Sequence, residues 1–458
     1  MTERAASLPA IAEAGELFGH PRGLTFLFTT EMWERFSYYG MRSLLVLYMT
    51  KYLLLPDHAG NVAGLVGFKH ALEVVFGPLD VQPLSSQIWG FYTGLVYFTP
   101  IFGGLLADRV LGRRRTVVIG AVLMAIGHFM MAVEQLFLFA LLALILGNGC
   151  FKPNISTQVG RLYPPGDHRR DRAYSIFYVG INVGAFLAPL VCGTLGERAG
   201  WHYGFAAAGV GMCIGLAIYL YALPVLPADE FHRPQADAKP VLDGHEWRAI
   251  VALLVLFVPN TLFWATYEQI GNTTILWIDA DIDRTINLFG FTAQIPTTWF
   301  LAFNPFMIFA FTPFVIAFWA RQAERGAEPS TVTKMAFGCL GVTAANLIYA
   351  FASIHAGGAQ ASWLWVLAAI AIFTVGELYL SPVGLSFVTK VAPLRMLSML
   401  MGVWLATSFA GGFLAGFIGS YWSRMPHVDF FLGVAGIAAC AGAMIFACRW
   451  FLRGMVRE

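Results

Sequence analysis

Charge is scarce in this sequence. Of its 458 residues only 12% are Asp, Glu, Lys or Arg, about half the ~25% of an ordinary soluble domain. What charge there is nearly balances, with 29 Lys+Arg against 27 Asp+Glu, so there is no basic field to attract a nucleic acid. Cysteine is scarce too. Cys150, Cys192, Cys213, Cys339, Cys440 and Cys448 all fall inside apolar stretches, which argues against a disulfide framework or a zinc site. H-E-x-x-H, G-x-S-x-G and G-x-x-x-x-G-K-[ST] are missing, and with them the signatures of a zinc protease, a serine hydrolase and an ATP-driven pump. The sequence reads as a non-enzyme, with no metal and no cofactor expected. Residues 1–22 are polar and lack an apolar core region, so no cleavable signal peptide is expected.

What fills the chain instead is apolar mass: 58% hydrophobic residues and a mean hydropathy of +0.65. A bilayer-crossing helix takes ~20 mostly apolar residues. The pattern predicts an all-α polytopic membrane protein with twelve spans, near 24–49, 85–107, 115–133, 136–160, 172–195, 201–223, 249–279, 298–320, 332–354, 362–391, 397–421 and 428–452. Lys and Arg are retained on the cytoplasmic side. With an inside N-terminus, 21 basic residues fall in the termini and inner loops and five (Lys51, Lys69, Arg198, Arg284, Arg424) outside, so both termini are expected in the cytoplasm. The Pro-rich polar stretch 224–248 follows the sixth span. It divides the chain into an N-terminal six-helix bundle (1–223) and a C-terminal one (249–458), the arrangement of the major facilitator fold. Residues 51–84 contain GLVGFKHALEVVF, expected to form a short helix at the outer surface.

Three basic residues (Arg35, Arg42, Lys152) and four acids (Glu31, Glu34, Glu268, Glu377) remain inside the apolar spans. Each costs ~2.5–3.5 kcal/mol at a helix centre, so lipid exposure is disfavoured and mutual pairing in the interior is expected. In FTTEMWERFSYYGMRSLL, residues Glu31, Glu34, Arg35, Tyr38, Tyr39 and Arg42 share one polar stripe at ~100° per residue. Glu31 and Arg35 form an i,i+4 pair in the favourable order. One such pair reads equally well as an ion lock between helices. Seven ionisable groups on four helices read as a path for protons or a charged substrate, because a lock gains nothing from repeated desolvation. His70, His128, His202 and His355 lie near span ends or in loops and are read as structural.

E-x-x-E-R-F-x-Y-Y-G (Glu31–Gly40) resembles the first-helix motif of the proton-coupled oligopeptide transporter family of the major facilitator superfamily. GNGCFKPNIS (147–156), SIFYVGINVGAF (175–186), FWATYEQIGNT (263–273), WFLAFNPFMI (299–308) and GELYLSPVGLSFVTKVAP (376–393) resemble its fourth, fifth, seventh, eighth and tenth helices, in the family's order. GGLLADRVLGRRR (103–115) resembles the facilitator loop in which Asp108 and Arg113 pair at a cytoplasmic gate. Many bacterial members of the family carry an extra helical hairpin between the halves. The 25 residues 224–248 are too few and too polar for one, so none is expected.

A short peptide is a zwitterion and needs a cation, an anion, amide-type groups and adaptable walls. Arg42, by a bidentate fork, and Lys152, as a point charge, face its carboxylate. The resemblance implies that Glu377, with Asn182 and Asn304, receives the ammonium. Tyr38, Tyr39, Tyr97, Trp299, Trp404 and Ser408 line the walls, although core packing competes for every aromatic among them. For proton coupling the candidates are Glu31, Glu34 and Glu268. The resemblance further implies that Lys152 pairs with a glutamate of the Glu31–Glu34–Arg35 motif and Arg42 with Glu268. The expected activity is proton-coupled symport of di- and tripeptides across a bacterial-type plasma membrane by alternating access, with protons, peptide and the lipid bilayer as partners and the monomer as the working unit. Carriage of nitrate, drugs or other metabolites on the same fold, or a non-transporting peptide sensor, are the alternatives.

Overall fold

The computed structural model describes residues 15–164, 166–229, 244–288, 290–392 and 396–452. Among them run twelve helices of eighteen residues or more. The first six are α1 (Arg22–Tyr48), α2 (Val81–Phe98), α3 (Arg113–Met130), α4 (Phe137–Arg161), α5 (Arg169–Ala188) and α6 (Trp201–Ala222). The second six are α7 (Gly244–Tyr267), α8 (Phe300–Glu324), α9 (Thr331–Ala356), α10 (Trp363–Val391), α11 (Leu397–Gly419) and α12 (His427–Leu452). Ten helical segments are long and apolar enough to cross a membrane. The two that are not are α1, which carries Glu31, Glu34, Arg35 and Arg42, and α3, which opens on three arginines. The protein is a multi-pass membrane protein with an all-α fold.

By packing the chain divides into two compact units, residues 1–74 with 98–236, and residues 75–97 with 237–458. In the first, α1 packs on α5 and α6, and α3 on α4 and α6. In the second, α9 packs on α10 and α12, and α7 on α11 and α12. The stretch 81–97 of α2 also belongs to this second unit: a Cβ on Gly90 would stand 2.7 Å from the Cα of Gly416 on α11. Without an aqueous driving force between helices, small residues are what let backbones approach this closely.

The expected short helix forms at Leu65–Phe76. Short strands were not expected. β1 (Glu16–Leu17) pairs with β2 (His20–Pro21), β3 (Ile282–Asp283) with β6 (Ala361–Ser362), and β4 (Thr285–Leu288) with β5 (Phe291–Gln294). The last is a hairpin whose tight turn contains Gly290 at φ 84°, a conformation that glycine adopts without steric cost. α6 is followed by a single turn, Leu223–Val225, and α7 begins at Gly244. Most of the expected linker (230–243), the basic residues Arg4, Arg233, Lys239, Arg395, Arg453 and Arg457, and the first fourteen residues lie outside the described residues.

Gly376 couples packing to chemistry, because it immediately precedes Glu377. α9 meets α10 there through Gly338 and Gly341, and a Cβ on Gly376 would lie 2.7 Å from the Gly338 carbonyl oxygen and 3.1 Å from Gly341 Cα. Backbone cannot yield as a side chain would, so Gly376→Ala is expected to lose ~1–3 kcal/mol through overpacking, more than the gain from alanine's better helix propensity, ~1 kcal/mol. Thermal unfolding of the detergent-solubilised protein checks this. An unchanged or raised Tm would show that α9 and α10 separate without cost.

Candidate functional site

In the first unit, α1 carries a buried ion network. Glu34 accepts two hydrogen bonds from Arg35, from Nε at 2.5 Å and from Nη2 at 2.7 Å. Glu31 Oε1 lies 3.4 Å from Arg35 Nε. All three are removed from the surface, at 1% (Glu31), 0% (Glu34) and 3% (Arg35) exposure. The i,i+4 pairing of Glu31 with Arg35 is thus present, but as the longer contact. The neighbouring Glu34 takes both hydrogen bonds, since a long guanidinium can fold sideways onto the preceding residue's carboxylate even though the two Cβ atoms point apart. Arg35 Nη2 also donates to Asn148 Oδ1 of α4, at 3.2 Å.

Tyr38 stands between two cations, with the Arg35 guanidinium carbon 4.9 Å and that of Arg42 6.0 Å from its ring centre. Cation–π attraction of this kind strengthens away from water. Tyr39 meets Tyr38 edge to face at 5.1 Å and packs against the small core of Phe36, Ala188, Cys192 and Ala208. Lys152 and Arg42 are partly buried. Pro153 follows Lys152 inside α4 and, lacking an N–H, cannot close the bond to the carbonyl of Gly149. Asn182 is buried in this same unit, and its Nδ2 donates to Tyr178 O, 3.0 Å away on its own helix. It therefore does not share the compact unit of Glu377 and Asn304, with which the resemblance grouped it. At the far end of the short helix Pro100–Leu106, Arg113 Nη2 donates to Asp108 Oδ1 at 2.7 Å. Arg114 turns elsewhere, to Asp229 (backbone N, 2.9 Å) and the carbonyl of Pro227 (Nε, 2.9 Å), and so clips the start of the linker to α3.

In the second unit the centre is Glu377 on α10. Asn304 Nδ2 of α8 donates to Glu377 Oε2 at 2.8 Å, and Tyr267 of α7 donates its hydroxyl to Oε1 at 3.1 Å. Thr374, one turn before, hands its own proton to Ile370 O at 2.8 Å and accepts from Asn304 Nδ2 at 3.1 Å. Both amide hydrogens of Asn304 are thereby committed, which fixes its orientation. Glu268 is buried at 2% exposure, where the regular run of α7 ends. Just beyond it, Gln269 Nε2 donates to Ala265 O (3.2 Å) and Ala415 O (3.0 Å), and Thr273 donates to Gln269 Oε1 (2.9 Å). Asn272 completes this seam, donating to Ala415 O (3.3 Å) and accepting from Ser86 (2.9 Å).

The proposed wall residues fare unequally. Trp404 is buried at 5% in the core of this unit, pressed against Gly384. Ser408 is buried, Tyr97 partly buried and Trp299 exposed at 38%. Asn148, Tyr267 and Thr374 were missed in the sequence. Asn148 and Tyr267 lie inside quoted motifs, but neither is charged, so the search for intramembrane charge passed over both.

Comparison with known proteins places the chain in a family. The profile of the POT family matches residues 114–238 and 230–431. The chain is 33% identical over 478 aligned positions to the peptide transporter YePEPT of Yersinia enterocolitica subsp. palearctica, covering 88% of each. It is 32% identical to a di-/tripeptide transporter of Lactococcus lactis subsp. cremoris, covering 92% of this chain and 94% of that one. Among solved structures, a peptide transporter POT in complex with sulfate superposes with a TM-score of 0.85 at 28% identity, over 98% of this chain and 99% of that chain. A POT family transporter in complex with 5-aminolevulinic acid gives 0.84 at 27% identity, over 96% and 99%. This chain belongs to the POT family.

Proposed function

We propose that the protein is a proton-coupled symporter that takes up di- and tripeptides, with both termini in the cytoplasm, twelve membrane spans and the monomer as the working unit. The observation that carries this reading is that each compact unit holds ionisable groups of its own where spans should be apolar: Glu31, Glu34 and Arg35, all buried, in one, and buried Glu268 with partly buried Glu377 in the other. Such groups are costly at depth and are kept where protons or charged substrates pass. The bodies that move are the halves 1–223 and 249–458, joined by 224–248, and they rock between outward and inward states.

In this reading Arg42 and Lys152 take the peptide carboxylate, and Glu377, oriented by Asn304, takes the ammonium. Tyr38, Tyr39, Tyr97, Asn182, Trp299, Trp404 and Ser408 serve the peptide's backbone and side chains. Glu31, Glu34, Arg35, Lys152 and Glu268 couple proton to peptide, and Asp108 with Arg113 closes the cytoplasmic gate. Two ligands that each favour the same state bias one equilibrium together, which is all that symport requires. A ligand such as the 5-aminolevulinic acid of the solved relative has the same two ends, amine and carboxylate, and tests whether those ends suffice for recognition.

The deciding assay is uptake of labelled dialanine and trialanine into proteoliposomes under an imposed inward proton gradient. Accumulation above the external concentration, abolished by a protonophore, is the expected result. Equilibration without accumulation would remove the proton from the mechanism, and binding without uptake would leave a sensor.

A further inference from the structure

The carboxylate of Glu377 is held by a donor that lies beside the buried carboxyl of a different helix. Tyr267 precedes Glu268 in the chain and is the last residue of the regular run of α7. Its hydroxyl donates to Glu377 Oε1 at 3.1 Å. The ring that carries this hydroxyl is itself fixed: Phe373 of α10 lies 5.0 Å away at an interplanar angle of 33°, and Trp264 meets it edge to face at 5.2 Å. A glutamate side chain has three rotatable bonds. With Asn304 on Oε2 and Tyr267 on Oε1, both of its oxygens are placed, and the remaining lone pairs have a set direction.

We infer that Tyr267 is a positioning residue of the ammonium subsite, aiming the Glu377 carboxylate and making that aim depend on the turn of α7 that carries Glu268. The inference rests on the assignment of Glu377 to the peptide ammonium. A phenol is a rigid donor, since the O–H reaches only as far as its ring is placed. Any rearrangement of the turn at 267–268 therefore shifts the donor, and Glu377 keeps one anchor instead of two. The residue thereby also contributes to specificity, because only ligands with a free ammonium profit from a correctly aimed carboxylate.

Tyr267→Phe removes the hydroxyl and keeps the ring packing. The test is inhibition of labelled dialanine uptake by dialanine and by N-acetyl-dialanine, which lacks the ammonium. It is run on the wild-type protein, Tyr267→Phe, Glu377→Ala and the double variant. A hydrogen bond to a charged group contributes enough that dialanine affinity is expected to fall about five- to tenfold in Tyr267→Phe, with N-acetyl-dialanine affinity unchanged. In the Glu377→Ala background Tyr267→Phe is expected to add nothing, the signature of two residues acting as a unit. Equal losses for the two ligands, or a full further loss in the double variant, would overturn the inference and make Tyr267 a packing residue. If Glu377→Ala leaves dialanine affinity unchanged, it is the ammonium assignment that has failed. If Glu377→Ala weakens dialanine binding and Tyr267→Phe does not, the positioning role alone has failed. Glu377→Met replaces the alanine variant if the latter does not fold.

Discussion

Glu268→Gln is expected to abolish accumulation of dialanine against its gradient while leaving exchange of internal for external peptide intact. Glutamine has the shape of glutamate and can hydrogen-bond, but it cannot carry a proton. The side chain is 2% exposed, and the seam beside it is built without carboxylates: Gln269, Thr273, Asn272 and Ser86 tie the chain just beyond α7 to the carbonyl of Ala415 and to α2 with amide and hydroxyl groups. The substitution therefore removes the proton carrier and keeps this seam. One charge crossing 100 mV supplies ~2.3 kcal/mol, which corresponds to roughly fifty-fold accumulation at the exchange rate of 1.4 kcal/mol per decade. The expected change is from that order of concentration ratio to about one. The measurement is paired uptake and counterflow in the same proteoliposomes. Accumulation that persists in Glu268→Gln would place the coupling proton elsewhere, with Glu31 and Glu34 of the first unit as the remaining candidates.

The parts of this molecule that could be read in the sequence are those in which one residue type has one physical consequence. Apolar runs of bilayer length gave helices close to the expected bounds, because the chain there has to satisfy its backbone internally. Even α1, too charged to pass as a membrane span on composition, was legible, since its charges repeat on a single stripe. Asn304 and Glu377, both read from motifs, lie in hydrogen-bond contact. The rest depended on relations that a one-dimensional reading does not contain. Which carboxylate binds Arg35 is decided by side-chain reach, and the nearer neighbour Glu34 won over the helically spaced Glu31. Whether Trp404 lines a wall or fills the core depends on Gly384 leaving room for it on another helix. Tyr267, Asn148 and Thr374 escaped notice for a similar reason. A neutral hydroxyl or amide inside an apolar helix looks like packing until the charged group it serves is placed beside it. The β4–β5 hairpin was hidden by being short, within a connection treated only as a break between spans.

The largest effect on stability is expected from Arg35→Met. Arg35 donates to both Glu34 Oε atoms and lies 3.4 Å from Glu31 Oε1, and removing it leaves two carboxylates at 0% and 1% exposure without that charge. Removing one partner of a buried pair costs ~3–5 kcal/mol, because the desolvation penalty of the other remains. Thermal unfolding of the solubilised protein, followed through its 13 tryptophans, should therefore show a marked fall in Tm. The second step is the informative one. Glu31→Met and Glu34→Met added to Arg35→Met remove the stranded charge, and hydrophobic replacements of similar volume for a buried ion cluster are often as stable as the original. The triple variant is expected to recover much of the lost Tm and still to fail in gradient-driven uptake, since the stability of the network and its function are separate properties. If the triple variant were both stable and able to accumulate dialanine, the network on α1 would be an ion lock between helices, and the coupling role proposed for Glu31, Glu34 and Arg35 would fall while that of Glu268 stood.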